Sequence, residues 1–473
     1  MYDAHSATAC IGMRNRPVDP SVLTALSPLD GRYAKKASAL RGYLSEYALI
    51  RYRTLVEVRW LQHLASEADI PELGHLDAPV KDVLNGIIDG FSVEDAQRIK
   101  SIESKTNHDV KAVEYFLREK LSGVSSPITD LTPFIHFACT SEDINNLAYA
   151  LMLRDARQRV LLPNIKSLAT ALRELAHEFA ELPMLSRTHG QPASPTTLGK
   201  EIAVFVYRID QQLERFTAVP ILGKINGAVG NFNAHIVAYP DADWCGLSNR
   251  FIESLNLTPA IYTTQIEAHD WIADYSQALC RLNVVLIDFC QDVWGYVSRG
   301  YFRSRAVAGE VGSSTMPHKV NPIEFENAEG NLGVANAVLE FLAGKLPKSR
   351  LQRDLTDSTV LRNLGVGIGH SLIAIESAAK GVSKLEADEE CITADLAASP
   401  EVLTEAVQTV MRRYGIADAY EQLKEITRGQ VITAEALESF IEQLDIPEDA
   451  RQRLLDLEPA RYVGIAAQLA RDI

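Results

Sequence analysis

Apolar positions recur with a helical period over unusually long stretches of the chain. Between Trp271 and Tyr301, the residues Tyr275, Leu282, Phe289 and Tyr296 repeat every seventh position. Ala278, Val285 and the pair Asp292/Val293 fall between them, alternating threes and fours. That spacing predicts a single bundle helix of roughly 45 Å. The segments 151–182, 197–218, 322–346 and 359–385 carry similar spacing, whereas strand-like alternation is scarce. The predicted fold class is all-α, a long central helical bundle flanked by two smaller helical domains. A stretch with Gly, Ser and Pro at 122–133 and an acidic patch at 386–390 punctuate the pattern. The expected organisation is a disordered extension over 1–20, an N-terminal helical domain over 21–135, the bundle over 136–385 and a C-terminal helical domain over 386–473.

Several predicted helices begin with concentrated polar residues. Thr106-Asn107-His108-Asp109 has the form of a capping box, which would put His108 in a first helical turn. Thr140-Ser141-Glu142-Asp143 repeats the device, and Asn321-Pro322-Ile323-Glu324 reads as cap, N1 proline and box. Ser358 lies near another start, flanked by Arg353 and Arg362. Each segment taken alone is explained by ordinary capping. Brought together, such starts would make anion sites suited to carboxylates or a phosphate.

Composition narrows the partners. Acidic residues outnumber basic ones, 62 to 47, for a formal charge of -15. Such a chain repels nucleic acid and anionic membranes, so an anionic ligand needs a locally basic pocket. Six cysteines (Cys10, Cys139, Cys245, Cys280, Cys290, Cys391) show no framework spacing and predict reduced thiols in a cytoplasmic protein. No apolar run reaches the ~18–20 residues that span a bilayer, and the first twenty residues lack the apolar core of a secretory signal. Gly365-Val-Gly-Ile-Gly369 has no preceding strand, so close helix packing explains it better than a dinucleotide loop. His177-Glu178 lacks the second histidine of a zinc-protease helix.

The most specific segment is Gly309-Glu-Val-Gly-Ser-Ser-Thr-Met-Pro-His-Lys-Val-Asn-Pro322. It resembles the signature loop of the fumarase/aspartase superfamily. Neighbouring motifs resemble the bacterial adenylosuccinate lyase family within it: Ser27–Tyr33, Lys105–Asp109, Cys139–Asp143, Ser186–Pro192, Thr264–Glu267 and Arg353–Ser358. The resemblance runs from about Leu26 to the C-terminus. It implies a fumarase/aspartase-like bundle and a homotetramer with active sites shared between subunits. It also implies release of fumarate from adenylosuccinate, giving AMP, and from the succinylcarboxamide intermediate SAICAR, giving AICAR. No metal or organic cofactor is implied.

The resemblance also assigns roles. Ser313 is the implied general base, His189 the general acid with Glu326 as its carboxylate partner, and His108 an assisting group. Lys319 and loop N–H groups would stabilise the serine oxyanion, and Asn321 would hold a carboxylate. Phosphate contacts fall to Arg32, Tyr33, Arg353, Ser358 and Arg362, and succinyl contacts to Thr140, Ser141 and Gln265. Asn107, Asp109, Ser314, Asn327, Thr359, Val360 and Leu361 complete the implied binding set. The chemistry is coherent, because removing a proton beside a carboxylate places a second negative charge on an already anionic group. A base, an acid at the leaving nitrogen and nearby cations meet that difficulty.

Overall fold

A computed structural model describes residues 19–74, 76–122, 124, 131–305, 316, 319–427 and 433–473. Helix α1 (Glu46–Leu64) starts where the Ser45 hydroxyl accepts the Ala48 N–H at 3.1 Å. Its buried stripe includes Leu49, Tyr52, Val56, Trp60 and Leu64, with Arg53 among them. Helix α2 (Val93–Thr106) opens with a reciprocal capping box between Ser92 and Asp95. It packs on α3 (Asp109–Leu121).

The turn between α2 and α3 differs from the expected capping box. Thr106 is the last residue of α2, and its hydroxyl bonds backward to the Ile102 carbonyl at 3.2 Å. Asn107 caps α2 at φ +52, a left-handed conformation that asparagine adopts more readily than most residues. His108 is then the N-cap of α3, its Nδ1 accepting the Lys111 N–H at 3.1 Å.

The segment expected to be helical over 151–182 is helical with a fault. Helix α4 (Ser141–Ala156) passes through a π turn at Arg157–Leu161 into α5 (Leu162–Glu178). Pro163 has no N–H to give to residue 159, and the widened turn falls on that site. Next comes a β-hairpin, β1 (Pro183–Thr188) and β2 (Gln191–Thr197), turned at His189 and Gly190, both with positive φ. The helix expected over 197–218 then begins at Leu198, as α6 (Leu198–Ala218), capped by the Thr197 hydroxyl.

Helix α7 (Asp270–Ser298) is the predicted long helix, with Tyr275, Leu282, Val285, Phe289 and Val293 buried. Helix α8 (Ile323–Lys345) starts with Pro322 as N-cap, one position later than expected, so Pro322 is outside the helix. A short helix α9 (Thr356–Leu361) precedes α10 (Leu364–Val382). Gly365, Gly367 and Gly369 lie within α10, where a Cβ on Gly367 would crowd Leu339 of α8. Helices α5, α6, α7, α8 and α10 form the bundle. Inside it, buried Asn283 donates to Asn336 and to Ser371, both at 2.9 Å, fixing the register of α7, α8 and α10.

One apolar core runs from Leu40 to Ile392. A smaller core, from Leu396 to Leu454, takes Leu185 from the hairpin. Strands among the described residues are confined to three two-stranded sheets. In one of them Phe302–Ser304 pairs with Leu385–Ala387, at the base of the segment that leads into α8.

Candidate active site

Four segments far apart in the chain meet around Arg353. The first is the start of α4. There the Thr140 N–H donates to Asp143 Oδ2 at 2.8 Å. Asp143 is fully buried against the equally buried Lys224, 2.9 Å away, and also accepts the Asn226 N–H. This pinning leaves Thr140 and Ser141 half-exposed at the helix mouth and sets Glu142 inward. Glu142 accepts from Arg353 Nη2 at 2.8 Å and from Asn145 Nδ2 at 2.7 Å.

The second segment is the α2–α3 turn. The His108 side chain stands half-exposed at the α3 start. Asp109 accepts from Arg53 Nη2 at 2.7 Å, and Arg362 Nη2 lies 3.5 Å from the same oxygen. Burial alone would raise the Asp109 carboxyl, but the charge and hydrogen bond of Arg53, aided by Arg362, hold it below the usual carboxylate range. Arg53, though only 2% exposed, also donates to Asn145 at 2.7 Å. A polar chain therefore runs from Asp109 through Arg53, Asn145 and Glu142 to Arg353.

The third and fourth segments, 264–269 and 352–362, are joined to each other. Arg353 Nη1 donates to Gln265 Oε1 at 3.3 Å, and the Thr264 hydroxyl to the Gln352 carbonyl at 2.8 Å. Arg362 Nη1 reaches back one helical turn to the Ser358 carbonyl at 2.8 Å and to its hydroxyl at 3.0 Å. Thr359 and Val360 share the short α9 with Ser358, and Leu361 is buried beneath it. Behind Arg353 lie three buried titratable side chains, Glu267, His269 and Asp357. Burial pushes the Glu267 carboxyl up. For Asp357, burial is outweighed by His269 and Arg353, and its carboxyl is held down.

Other residues singled out in the sequence stand apart from this cluster within one chain. Tyr33, next to Arg32, accepts from Asn327 Nδ2 at 3.0 Å. Hydrogen bonding from Asn331, then from Asn327 and Arg32, outweighs burial and lowers the Tyr33 phenol. His189 is exposed at the hairpin tip. Glu326 accepts from Trp294 Nε1 at 3.2 Å, and no contact joins it to His189 among the described residues. Lys319 is exposed and Asn321 half-buried, before α8. Ser313 and Ser314 lie outside the described residues.

Sequence reading passed over Arg53, Glu142, Asn145, Glu267, His269 and Asp357. One signal was present: Arg53 interrupts the apolar stripe of α1, and Glu142 through Asn146 form a nearly unbroken polar run on a helix buried on all sides. Charges placed on such faces call for partners.

Comparison with known proteins agrees with this architecture. Residues 31–337 match a family model described as lyase, and 349–463 one described as adenylosuccinate lyase C-terminal. The chain is 55% identical over 453 residues to adenylosuccinate lyase of Escherichia coli strain K12, covering 96% of this chain and 99% of the relative. It is 56% identical over 450 residues to that of Vibrio cholerae serotype O1, covering 95% and 98%. Among solved structures, a fumarate lyase from Mesorhizobium sp. BNC1 superposes with TM-score 0.74 at 18% identity, over 92% of this chain and 97% of that one. The 3-carboxy-cis,cis-muconate lactonizing enzyme from Pseudomonas putida gives 0.71 at 20% identity, over 92% and 96%. These two structures share the all-α fold. The chain belongs to the adenylosuccinate lyase family.

Proposed function

We infer that this member of the adenylosuccinate lyase family is a carbon–nitrogen lyase that eliminates fumarate from adenylosuccinate to give AMP, in purine nucleotide biosynthesis. SAICAR, which bears the same succinyl-amino group, is the second substrate of this reading, giving AICAR. The observation that carries it is the convergence on Arg353: three guanidinium groups (Arg53, Arg353 and Arg362), two helix starts and an amide from five separate segments, in an otherwise acidic chain. A substrate with a phosphate at one end and two carboxylates at the other needs such a site.

In the proposed mechanism the Ser313 alkoxide removes a proton from the carbon next to a carboxylate. The electron pair enters that carboxylate as a dianionic aci-form, then returns to form the carbon–carbon double bond of fumarate as the C–N bond breaks. His189 supplies a proton to the departing nitrogen. Lys319 and Asn321 stabilise the charges on the Ser313 side, and Glu326 of another subunit pairs with His189. Arg353, Arg362 and Ser358, with Arg32 and Tyr33, take the phosphate, while Thr140, Ser141 and Gln265 take the succinyl carboxylates. His108 assists at the leaving-group side, next to Asn107 and Asp109.

The separation of His189 from the Arg353 cluster within one chain supports a site shared between subunits of a homotetramer. So do the apolar side chains exposed on bundle helices, Val204, Tyr207, Val284, Val334 and Phe341. Division into units at 21–135, 136–385 and 386–473 and a cytoplasmic location belong to the same proposal. No helix among the described residues is long and apolar enough to cross a membrane. The test is to supply purified protein with adenylosuccinate, SAICAR and argininosuccinate in turn and follow fumarate by ultraviolet absorbance. Release from the first two is expected. Release from argininosuccinate alone would overturn the assignment.

A further inference from the structure

The buried group behind Arg353 has a geometry that the elimination chemistry does not use. His269 is the N-cap of α7 at φ +64, a conformation uncommon for a residue with a Cβ and held only where its surroundings demand it. Its backbone N–H donates to Glu267 Oε2 at 2.8 Å. Its ring then lies between two carboxylates: Nδ1 is 3.8 Å from Glu267 and Nε2 is 3.5 Å from Asp357, and all three side chains are at most 5% exposed. Asp357 Oδ1 accepts the Ser358 N–H at 2.7 Å, and Arg353 Nη2 is 3.9 Å from the same oxygen. Among the described residues, His269 and Arg353 are the basic groups within 4 Å of Asp357. The other charged groups near this unit are Asp270, on the segment of His269 itself, and Glu142, from α4 across Arg353.

Arg353 is thus contested. Glu142 and Gln265 hold its fork on one side, and Asp357, four residues further along the chain, lies 3.9 Å from the same Nη2 that Glu142 accepts from. A buried carboxylate without a partner is costly and takes the nearest cation. We propose that His269 is a positioning residue for the phosphate-binding half of the site: by engaging Asp357 it keeps Arg353 turned toward Gln265, Glu142 and the substrate. This rests on the assignment of Arg353 to the substrate phosphate. It adds that residues 264–269 and 352–358 act as one unit, so a change at a buried histidine that touches no substrate is felt at the phosphate end.

The experiment compares the full-length wild type with His269→Gln, Asp357→Asn and the double variant. The readouts are kcat and KM for adenylosuccinate and inhibition constants for AMP and for fumarate. In His269→Gln, Asp357 recruits Arg353. KM and the AMP constant are expected to rise about 10-fold, while kcat and the fumarate constant stay within about 3-fold. Adding Asp357→Asn removes the surplus carboxylate and should return KM to within about 3-fold of wild type, a rescue that lost packing alone would not show. An unchanged KM in His269→Gln, a fall confined to kcat, or no rescue in the double variant overturns the proposal. Should His269→Gln not fold, Asp357→Asn decides: KM equal to or below wild type supports the proposal, and a rise of about 10-fold overturns it. Wild-type turnover is measured first. Its absence would remove the activity assignment itself, whereas normal wild-type turnover beside unaltered variants removes only the role of His269.

Discussion

Arg353 and Glu142 stand 2.8 Å apart, although 211 positions separate them in the chain. The Glu142 side chain is 3% exposed and that of Arg353 17%, so the pair is formed largely away from water. Removing the acid by Glu142→Ala strips Arg353 of its nearest partner and Asn145 of an acceptor. KM for adenylosuccinate is expected to rise by about 10-fold or more, since truncating one member of a buried charged pair costs about 2–5 kcal/mol. Initial rates of fumarate release measure it, and an unchanged KM would remove Glu142 from the site's architecture.

Arg362 shares the phosphate in the proposed site, and in the free chain it rests on Ser358, Asp109 and Glu46. Arg362→Ala should act mainly on KM for the nucleotide, raising it about 10-fold or more with a smaller change in kcat. Saturation curves for both purine substrates test this, and a KM equal to wild type would count against the phosphate clamp.

Ser313→Ala removes the proposed base while leaving the binding groups in place. A loss of at least about 10³-fold in kcat is expected, with substrate binding retained. Single-turnover rates together with calorimetric binding of adenylosuccinate separate the two effects. Near-normal turnover would give the base role to another residue.

His136 supplies a pH test of stability. Its Nδ1 is 2.6 Å from Glu57 Oε1. Burial would lower the imidazole, but Glu57 outweighs it and raises the group above its ordinary value. A raised folded value means that the folded chain binds more protons than the unfolded one in that window. The contribution is therefore full below about 6.5 and is lost as pH rises through the folded value. The gap in urea midpoint between wild type and His136→Gln should be wider at pH ~6 than at pH ~9. A gap that widens toward alkaline pH would contradict the sign.

Gly199 lies in the first turn of α6, where a Cβ would strike the Ala176 carbonyl and the backbone of Ala180. These are main-chain atoms, which cannot rotate aside. Gly199→Ala should lose about 1–3 kcal/mol despite the better helix propensity of alanine. Denaturant unfolding reads this directly, and a stabilised variant would show that the α5–α6 contact relaxes.

The long helices and the signature segments were legible in the residues alone. A helix repeats every 3.6 residues, so an apolar stripe such as Tyr275–Leu282–Phe289 declares itself locally, and the 309–322 segment is contiguous. The hairpin at 183–197 was not legible. Its strand β2 contains Pro192 and Pro195 and lacks clean alternation, and its turn depends on positive φ at His189 and Gly190. The start at Thr106 was misplaced because a threonine three residues before an acid fits a capping box equally well on paper; the left-handed turn at Asn107 decided otherwise.

Residue types and local periodicity determined the fold class and placed polar and charged side chains at particular points along the chain. Tertiary structure alone decided which of them meet: that Arg353 faces Glu142 and Gln265, that Arg53 is buried beneath Asp109, and that His269 separates two acids. The reason is physical. Backbone hydrogen bonding and side-chain direction act over a few residues and leave a local pattern, whereas a buried ion pair is set by how helices pack. Packing brings together positions whose distance along the chain carries no periodic trace.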